Sequence, residues 1–389
     1  MRTMRDLDVV GKRVFLRTDF NVPLEDGRIT DDSRIRASLP TIQWLLDQGA
    51  SLVIASHLGR PKGKRVEALT MKPVAARLEQ LLKRPVSLVD DVVGPAAELA
   101  AGDLEPGQIL MLENLRFEPG EEVNDAEFAQ RLAALADVYV DDAFGAAHRA
   151  HASTTGITAF LPSAAGKLME REVQTLHDVM DHPKRPLAVL IGGAKISTKI
   201  DVLAHLLPIA DEFFVGGGMA NTMLAAENKP VGRSLVERNQ IPAAREFLAR
   251  AKHMHRPVNL PVDALVAENG SVAGPVSIGE IEADQAIMDI GPETARLYGD
   301  GLQRAETVVW NGPMGVFEKP AYAAGTRRLA HDLAEGPAFV VVGGGDSVAA
   351  IEQEGLVNDF GHISTGGGAA LEFLEGRCLP GVAALEEKE

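Results

Sequence analysis

Short apolar runs rich in β-branched residues recur along the chain, separated by longer segments of helical spacing. That alternation restricts the fold more than any other feature, because it is the signature of an α/β architecture with largely parallel sheets. The runs fall into two sets, residues 14–17, 51–55, 86–89, 109–112 and 138–140, then 187–191, 213–215, 258–260 with 264–267, 308–310 and 339–342. Between them, residues 163–182 read as a helix with charges on one face and an exit at His182-Pro183, joining two domains.

Composition narrows the class. Hydrophobic residues make up 46% of the 389, enough for a globular chain with a core in each domain. A formal net charge of −16 opposes broad attraction to nucleic acid or an anionic membrane, so any anion site must be a local cationic cluster. The single cysteine, Cys378, can form no internal disulfide, which fits a reducing cytosol; lacking a nearby His, it reads as a buried or incidental thiol. The N-terminal residues hold no signal-type apolar segment and no 18-residue apolar run follows, so a soluble cytoplasmic protein is expected.

Ligands of open α/β sheets collect beyond the carboxyl ends of the strands. In the first half those ends deliver charge: Arg17, Asp19 and Asn21 in RTDFNVP, Arg34 shortly after, His57 and Arg60 in SHLGRP, Arg116 in LENLRF, then His148, Arg149 and His151. Arg and His at four strand ends make a pocket for a small polyanion, Arg offering two-pronged forks to carboxylate or phosphate. No carboxylate or Cys cluster with zinc spacing accompanies the histidines, which disfavours a metal there. Asp141 and Asp142 read as a strand-end turn or helix cap.

In the second half the strand ends deliver glycine: Gly192-Gly193, residues 216–218, Gly312 with Gly315, residues 343–345 and residues 366–368. Bare backbone suits a flat base and a polyphosphate. The stretch 187–200, LAVLIGGAKISTKI, reads as strand, glycine turn and helix start, with Lys195 and Lys199 sharing one helix face beside a phosphate. Neither a Walker A loop nor a G-x-G-x-x-G fingerprint is present, which disfavours a nicotinamide-dependent dehydrogenase. Asp346 is either a helix cap or a hard oxygen ligand for Mg²⁺, and Glu318 either a solvated loop acid or a partner for ribose hydroxyls.

Taken in order, RTDFNVP, SHLGRP, LENLRF, DAFGAAHRAH, GGAKISTK, VGGGMAN, VVWNGPMGVFE, VVGGGDSVAA and STGGGA resemble the phosphoglycerate kinases over essentially the whole length. The resemblance implies a two-lobed monomer of Rossmann-like lobes: residues 1–165 binding 3-phosphoglycerate, 166–371 binding nucleotide, and a tail from about 372 to 389 packing back on the first lobe. It also implies residue roles. Asp19, Phe20, Asn21, Arg34, His57, Leu58, Gly59, Arg60, Arg116 and Arg149 match the triose site. Lys195 and Lys199 match the lysines on the nucleotide phosphates and the transferred group, and Glu318 matches the ribose acid. Gly344, Gly345, Asp346 and Ser347 match the phosphate loop, with Mg²⁺ on Asp346. The family pattern is broken at Lys167, where an apolar residue is usual.

The implied reaction is reversible phosphoryl transfer between 1,3-bisphosphoglycerate and ADP, giving 3-phosphoglycerate and ATP. Its nucleophile in the reverse direction is a carboxylate already ionised at neutral pH, so no general base is required. Catalysis then rests on position, on charge neutralisation by Arg34, Lys195 and Lys199, and on domain closure. A non-catalytic nucleotide-binding scaffold of the same fold is the alternative; the presence of Arg34, Lys199 and Asp346 speaks against it.

Overall fold

A parallel strand covered on both faces needs a continuous apolar run, and each set of runs builds one such sheet in the computed structural model, which describes residues 1–268 and 270–386. In the first set β1 (Arg13–Thr18) is followed by a short hairpin of β2 (Leu24–Glu25) and β3 (Arg28–Ile29). Then come β4 (Ser51–Ala55), β5 (Ser87–Leu88), β6 (Ile109–Met111), β7 (Val138–Asp142) and β8 (Ser163–Ala165). All but the hairpin pair in parallel in the order β5-β6-β4-β1-β7-β8. The hairpin turns at Asp26-Gly27, both at positive φ, which is the backbone that a tight two-residue hairpin demands.

The second set gives β9 (Leu187–Ile191), β10 (Glu212–Val215), β11 (Val258–Asn259), β12 (Asp263–Glu268), β13 (Ser271–Ser277), β14 (Ala286–Ile290), β15 (Thr307–Asn311), β16 (Phe339–Gly343) and β17 (His362–Ile363). Six of them form a parallel sheet, β11-β10-β9-β15-β16-β17, and the rest an antiparallel sheet, β13-β12-β14. The chain thus forms two compact α/β units, Met1–Gln174 with Cys378–Glu389, and Thr175–Arg377. The expected tail falls partly on residues 387–389, which lie outside the described residues. Its described end belongs to the first unit, where Gly381 N donates to Ala147 O (2.9 Å) and Arg2 N to Leu385 O (3.0 Å). Cys378 is exposed.

Two expectations need correction. Residues 258–260 and 264–267 were read together, but β11 closes one edge of the parallel sheet while β12 is the centre of the antiparallel one. Pro261, between them, has no N–H for a ladder and lets the chain change sheets. The helix expected over 163–182 runs Lys167–Asp181, because Ser163–Ala165 is a strand beside β7. Gly166 separates the two, and Asp142 takes the space that a side chain there would fill. Asp142 Oδ1 accepts from the Leu168 and Met169 N–H groups (2.9 and 3.4 Å), so the acid read as a cap does cap this helix. Lys167 sets its ammonium over the Trp44 ring, 5.9 Å from the centroid.

Candidate active site

Strand order places the sites. The first sheet changes direction beside β1 and the second between β9 and β15, and at such a point the connections leave on opposite faces and open a crevice.

At the carboxyl end of β1, Ser56 ties the turn: its Oγ donates to Thr18 O (2.8 Å) and accepts from Phe20 N (2.8 Å). Asp19, buried, accepts from Arg34 Nη1 at 2.8 Å. Asn21 Oδ1 accepts from Gly59 N (2.8 Å), and Arg116 Nη1 donates to Gly59 O (2.8 Å), so the Leu58–Gly59–Arg60 turn is pinned from both sides. Asn114 completes the clamp through Leu58 N and O. Arg60 is exposed, and half-buried Arg149 donates to His148 Nε2 (3.1 Å).

Beneath lies a buried layer: it takes in Arg17 and His151, read from the sequence as pocket cations, and adds Glu121 and Ser153, which the sequence did not disclose. Arg17, fully buried in β1, donates to Ser153 Oγ (2.7 Å) and to Thr18 O, and its Nη2 lies 3.2 Å from His57 Nδ1. Buried Glu121 accepts from Ser153 Oγ (2.6 Å) and stands 3.6 Å from His151 Nδ1. Burial alone would raise the Glu121 carboxyl; the adjacent His151 ring, the Arg17 charge and the Ser153 hydrogen bonds outweigh it and hold the acid below its ordinary value. Burial, then Arg17, Arg116, Arg34 and His151, push His57 well below 6.5. His57 is therefore neutral at pH 7, and with Nδ1 facing the Arg17 donor its Nε2–H is left to donate.

In the second unit the expectation of a lysine pair on one helix face is corrected. After β9 come Gly192-Gly193 and a 3₁₀ turn, Ile196–Thr198, and the α-helix begins at Ile200, so Lys195, in extended backbone, and Lys199 flank the turn and do not share a helix face. Lys195 is exposed. Lys199 folds back across the direction change of the sheet, Nζ donating to Gly192 O (2.8 Å) and Asn311 O (3.1 Å). Burial lowers it to about 8 against the opposing pull of Asp346. This close approach explains Gly312, at φ +95°: a Cβ there would sit 2.4 Å from Gly192 O and 2.5 Å from Lys199 Nζ.

Ser347 Oγ accepts from Gly312 N (2.6 Å) at the start of the Gly345–Gln353 helix, and Asp346 stands exposed beside it without capping. The buried Asn311 amide has no hydrogen-bond partner and borders Gly343 and Gly344. Next to this floor opens a cavity of about 380 Å³, walled by Gly193, Ala194, Gly217, Gly218, Met314 and Val316 among others, with Glu318 and Asp346 in its lining. The turn at residues 366–368 is not part of that wall. Asp289, buried in the wall, is raised to about 7 by burial, against the hydrogen bonds it accepts from Gly325 N and Ile290 N.

Among the described residues no three His, Cys, Asp or Glu side chains converge as a metal cage. One exposed carboxylate beside an anion site suits Mg²⁺, which keeps waters and takes its other ligands from substrate phosphates. No helix of the described residues is long and apolar enough to cross a membrane.

Known proteins are similar to this chain over essentially its whole length. The phosphoglycerate kinase family model matches residues 4–377. The chain is 54% identical to the phosphoglycerate kinase of Moorella thermoacetica over 389 residues, 99% of each chain. It is also 54% identical to that of Thermomicrobium roseum, covering 100% of both. Its fold is similar to that of phosphoglycerate kinase from Coxiella burnetii (TM-score 0.90, 42% identity, 98% of each chain). The Pyrococcus horikoshii OT3 enzyme is similar too (TM-score 0.87, 34% identity, 99% of this chain and 98% of that one). The chain belongs to the phosphoglycerate kinase family and is an enzyme of that kind, transferring a phosphoryl group reversibly between 1,3-bisphosphoglycerate and ADP.

Proposed function

We propose that the cationic pocket of the first unit holds 3-phosphoglycerate and that the glycine-walled cavity of the second holds the nucleotide. The observation that carries this reading is the seat of Lys199: an ammonium fixed on two main-chain carbonyls at the direction change of the sheet, with a largely apolar cavity beside it. An ammonium so placed meets phosphate without reorganising.

Arg34, Arg60, Arg116 and Arg149, with His57 Nε2–H, Asn21 and the buried turn at Asp19-Phe20, form the acid site; Leu58 and Gly59 lend backbone. Glu318 receives the ribose, and residues 344–347 with Asn311 receive the phosphates. Mg²⁺ on Asp346 supplies neutralisation of phosphate charge when bound. Because the acceptor is an ionised carboxylate, the chain needs cations and not a base. Arg34, Lys195 and Lys199 offset charge on the transferred group, and approach of the two units brings donor and acceptor oxygens into line. The enzyme works as a monomer, since each ligand has its own unit within one chain.

The test is ADP release from MgATP with and without 3-phosphoglycerate. Release that requires both the acid and Mg²⁺ is expected. ADP release independent of the acid would mean transfer to water and overturn the assigned acceptor; none, with MgATP still bound, would leave only a nucleotide-binding scaffold.

A further inference from the structure

The turn that spaces the two lysines of the second unit carries a conflict in its own sequence. A 3₁₀ turn as short as Ile196–Thr198 has poor hydrogen-bond geometry and leaves its first N–H groups without partners inside it. The residue before such a turn is commonly Ser, Asp or Asn, which accepts from those groups, but here it is Lys195, a donor only. Ile196 is buried while Ser197 and Thr198 are exposed, so packing holds only one of the three.

The missing acceptor comes from 40 positions along the chain. Glu237, half-buried, takes the Ser197 N–H on Oε2 (2.9 Å) and the Ser197 hydroxyl on Oε1 (2.6 Å), so both carboxylate oxygens serve one residue of the turn. Its own N–H donates to Thr222 Oγ1 (3.2 Å), and Thr222 donates to Gly218 O (3.1 Å), on the helix whose first glycines wall the nucleotide cavity. Both lysines are rooted in what Glu237 holds. Lys195 O accepts from Thr198 Oγ1 (2.9 Å), and Lys199 N donates to Ile196 O (2.9 Å). Burial would raise the Glu237 carboxyl; the Ser197 bonds and the Lys195 charge outweigh it and hold it below its ordinary value. It is therefore ionised at pH 7, and both bonds to Ser197 are charge-assisted. Glu237 itself is not in the cavity lining.

We propose that Glu237 is a positioning residue for phosphoryl transfer: capping the Ile196–Thr198 turn from outside, it fixes the placement of Lys195 and Lys199 beside the glycine wall. The inference rests on the assignment of both lysines to the transferred group. A turn that frays moves the lysine roots, and a displacement of about 1 Å costs up to about 100-fold in rate.

The experiment measures kcat, KM for MgATP and the pH dependence of kcat/KM at saturating 3-phosphoglycerate, well below each melting temperature. The variants are Glu237→Ala, Glu237→Gln, Ser197→Ala and the double Glu237→Ala with Ser197→Ala. Glu237→Ala is expected to lose about 10-fold to 100-fold, through kcat more than KM. Its alkaline fall should also move up from about pH 8, because a loosened turn lets water reach the Lys199 ammonium. Glu237→Gln keeps an acceptor and should recover most of the loss, and the double variant should be no worse than Glu237→Ala, since both changes remove one interaction. A lower melting temperature with kcat/KM and its pH profile unchanged would make the cap purely structural and overturn the proposal. Tighter MgATP binding in both Glu237→Ala and Glu237→Gln would overturn it too, by showing that the acid acts only as a charge opposing Lys195. If Glu237→Ala does not fold, Ser197→Ala carries the test: a smaller loss with the alkaline fall moved the same way supports the clamp, and no change overturns it. Lys199→Ala is the control, since near wild-type turnover there would remove the lysine assignment and not the clamp.

Discussion

Lys199 concentrates the chemistry of the second unit, and its burial sets its pH behaviour. An unfolded lysine titrates near 10.5 and this one at about 8, so between those values the folded chain binds fewer protons than the unfolded one. Stability contributed by this group therefore rises from pH 8 to 10.5, and the cost of the buried ammonium is present below pH 8. Catalysis runs the other way. Since kcat/KM reports the free enzyme, its value for MgATP should fall above about pH 8 in wild type and stay flat in Lys199→Arg, whatever its absolute level. Lys199→Ala should lower turnover by about 10²–10³-fold, as for a lost oxyanion donor; near wild-type turnover with intact nucleotide binding would remove Lys199 from the mechanism. The types of these residues were legible in the sequence, but their charge states were not. Nothing local distinguishes neutral His57 from the cationic pocket around it, because its depression comes first from burial and then from Arg17, Arg116 and Arg34, each brought up by a different element.

Elements carry the site by where they end. Gly312→Ala should strain a positive-φ turn and unseat Lys199, costing about 1–3 kcal/mol of stability. MgADP affinity should fall while 3-phosphoglycerate affinity holds; calorimetric titration of each ligand separates the two, and equal losses would contradict a local effect. Asp142 is the counterpart at the start of the Lys167–Asp181 helix. Burial pushes it up to about 6, against the hydrogen bonds it accepts from the Leu168 and Met169 N–H groups. Its folded state holds more protons than the unfolded one between about pH 3.8 and 6, so its contribution to stability declines across that window and is lowest above pH 6. Asp142→Asn keeps an acceptor for the helix N–H groups and should melt no lower than wild type at pH 7. Asp142→Ala orphans them and should lose about 1–2 kcal/mol. Thermal melts at pH 4.5 and 7.5 check both. Strands buried on both faces, such as 187–191, were readable because burial demands an unbroken apolar run. The exposed β13 and half-exposed β14 were not, since their pairing partner in β12, not their composition, makes them strands.

At the scale of the molecule, transfer requires the reacting oxygen and phosphorus to reach about 3–3.5 Å. With each ligand on its own unit, both together should compact the enzyme, seen as a smaller radius of gyration in small-angle scattering than with either alone; an unchanged radius would count against closure. The sequence by itself determined the α/β class, the two sets of strands, the basic character of one half and the glycine character of the other, and through nine ordered motifs the family. Those properties reside in local period, composition and spacing. Only tertiary structure decided that Arg17, Glu121 and Ser153 form a floor under His57 and that Lys199 leaves the helix to sit on Asn311 O, 112 residues away. Each of these depends on which strands are neighbours, and strand order is settled by the packing of the whole sheet and not by any stretch of it.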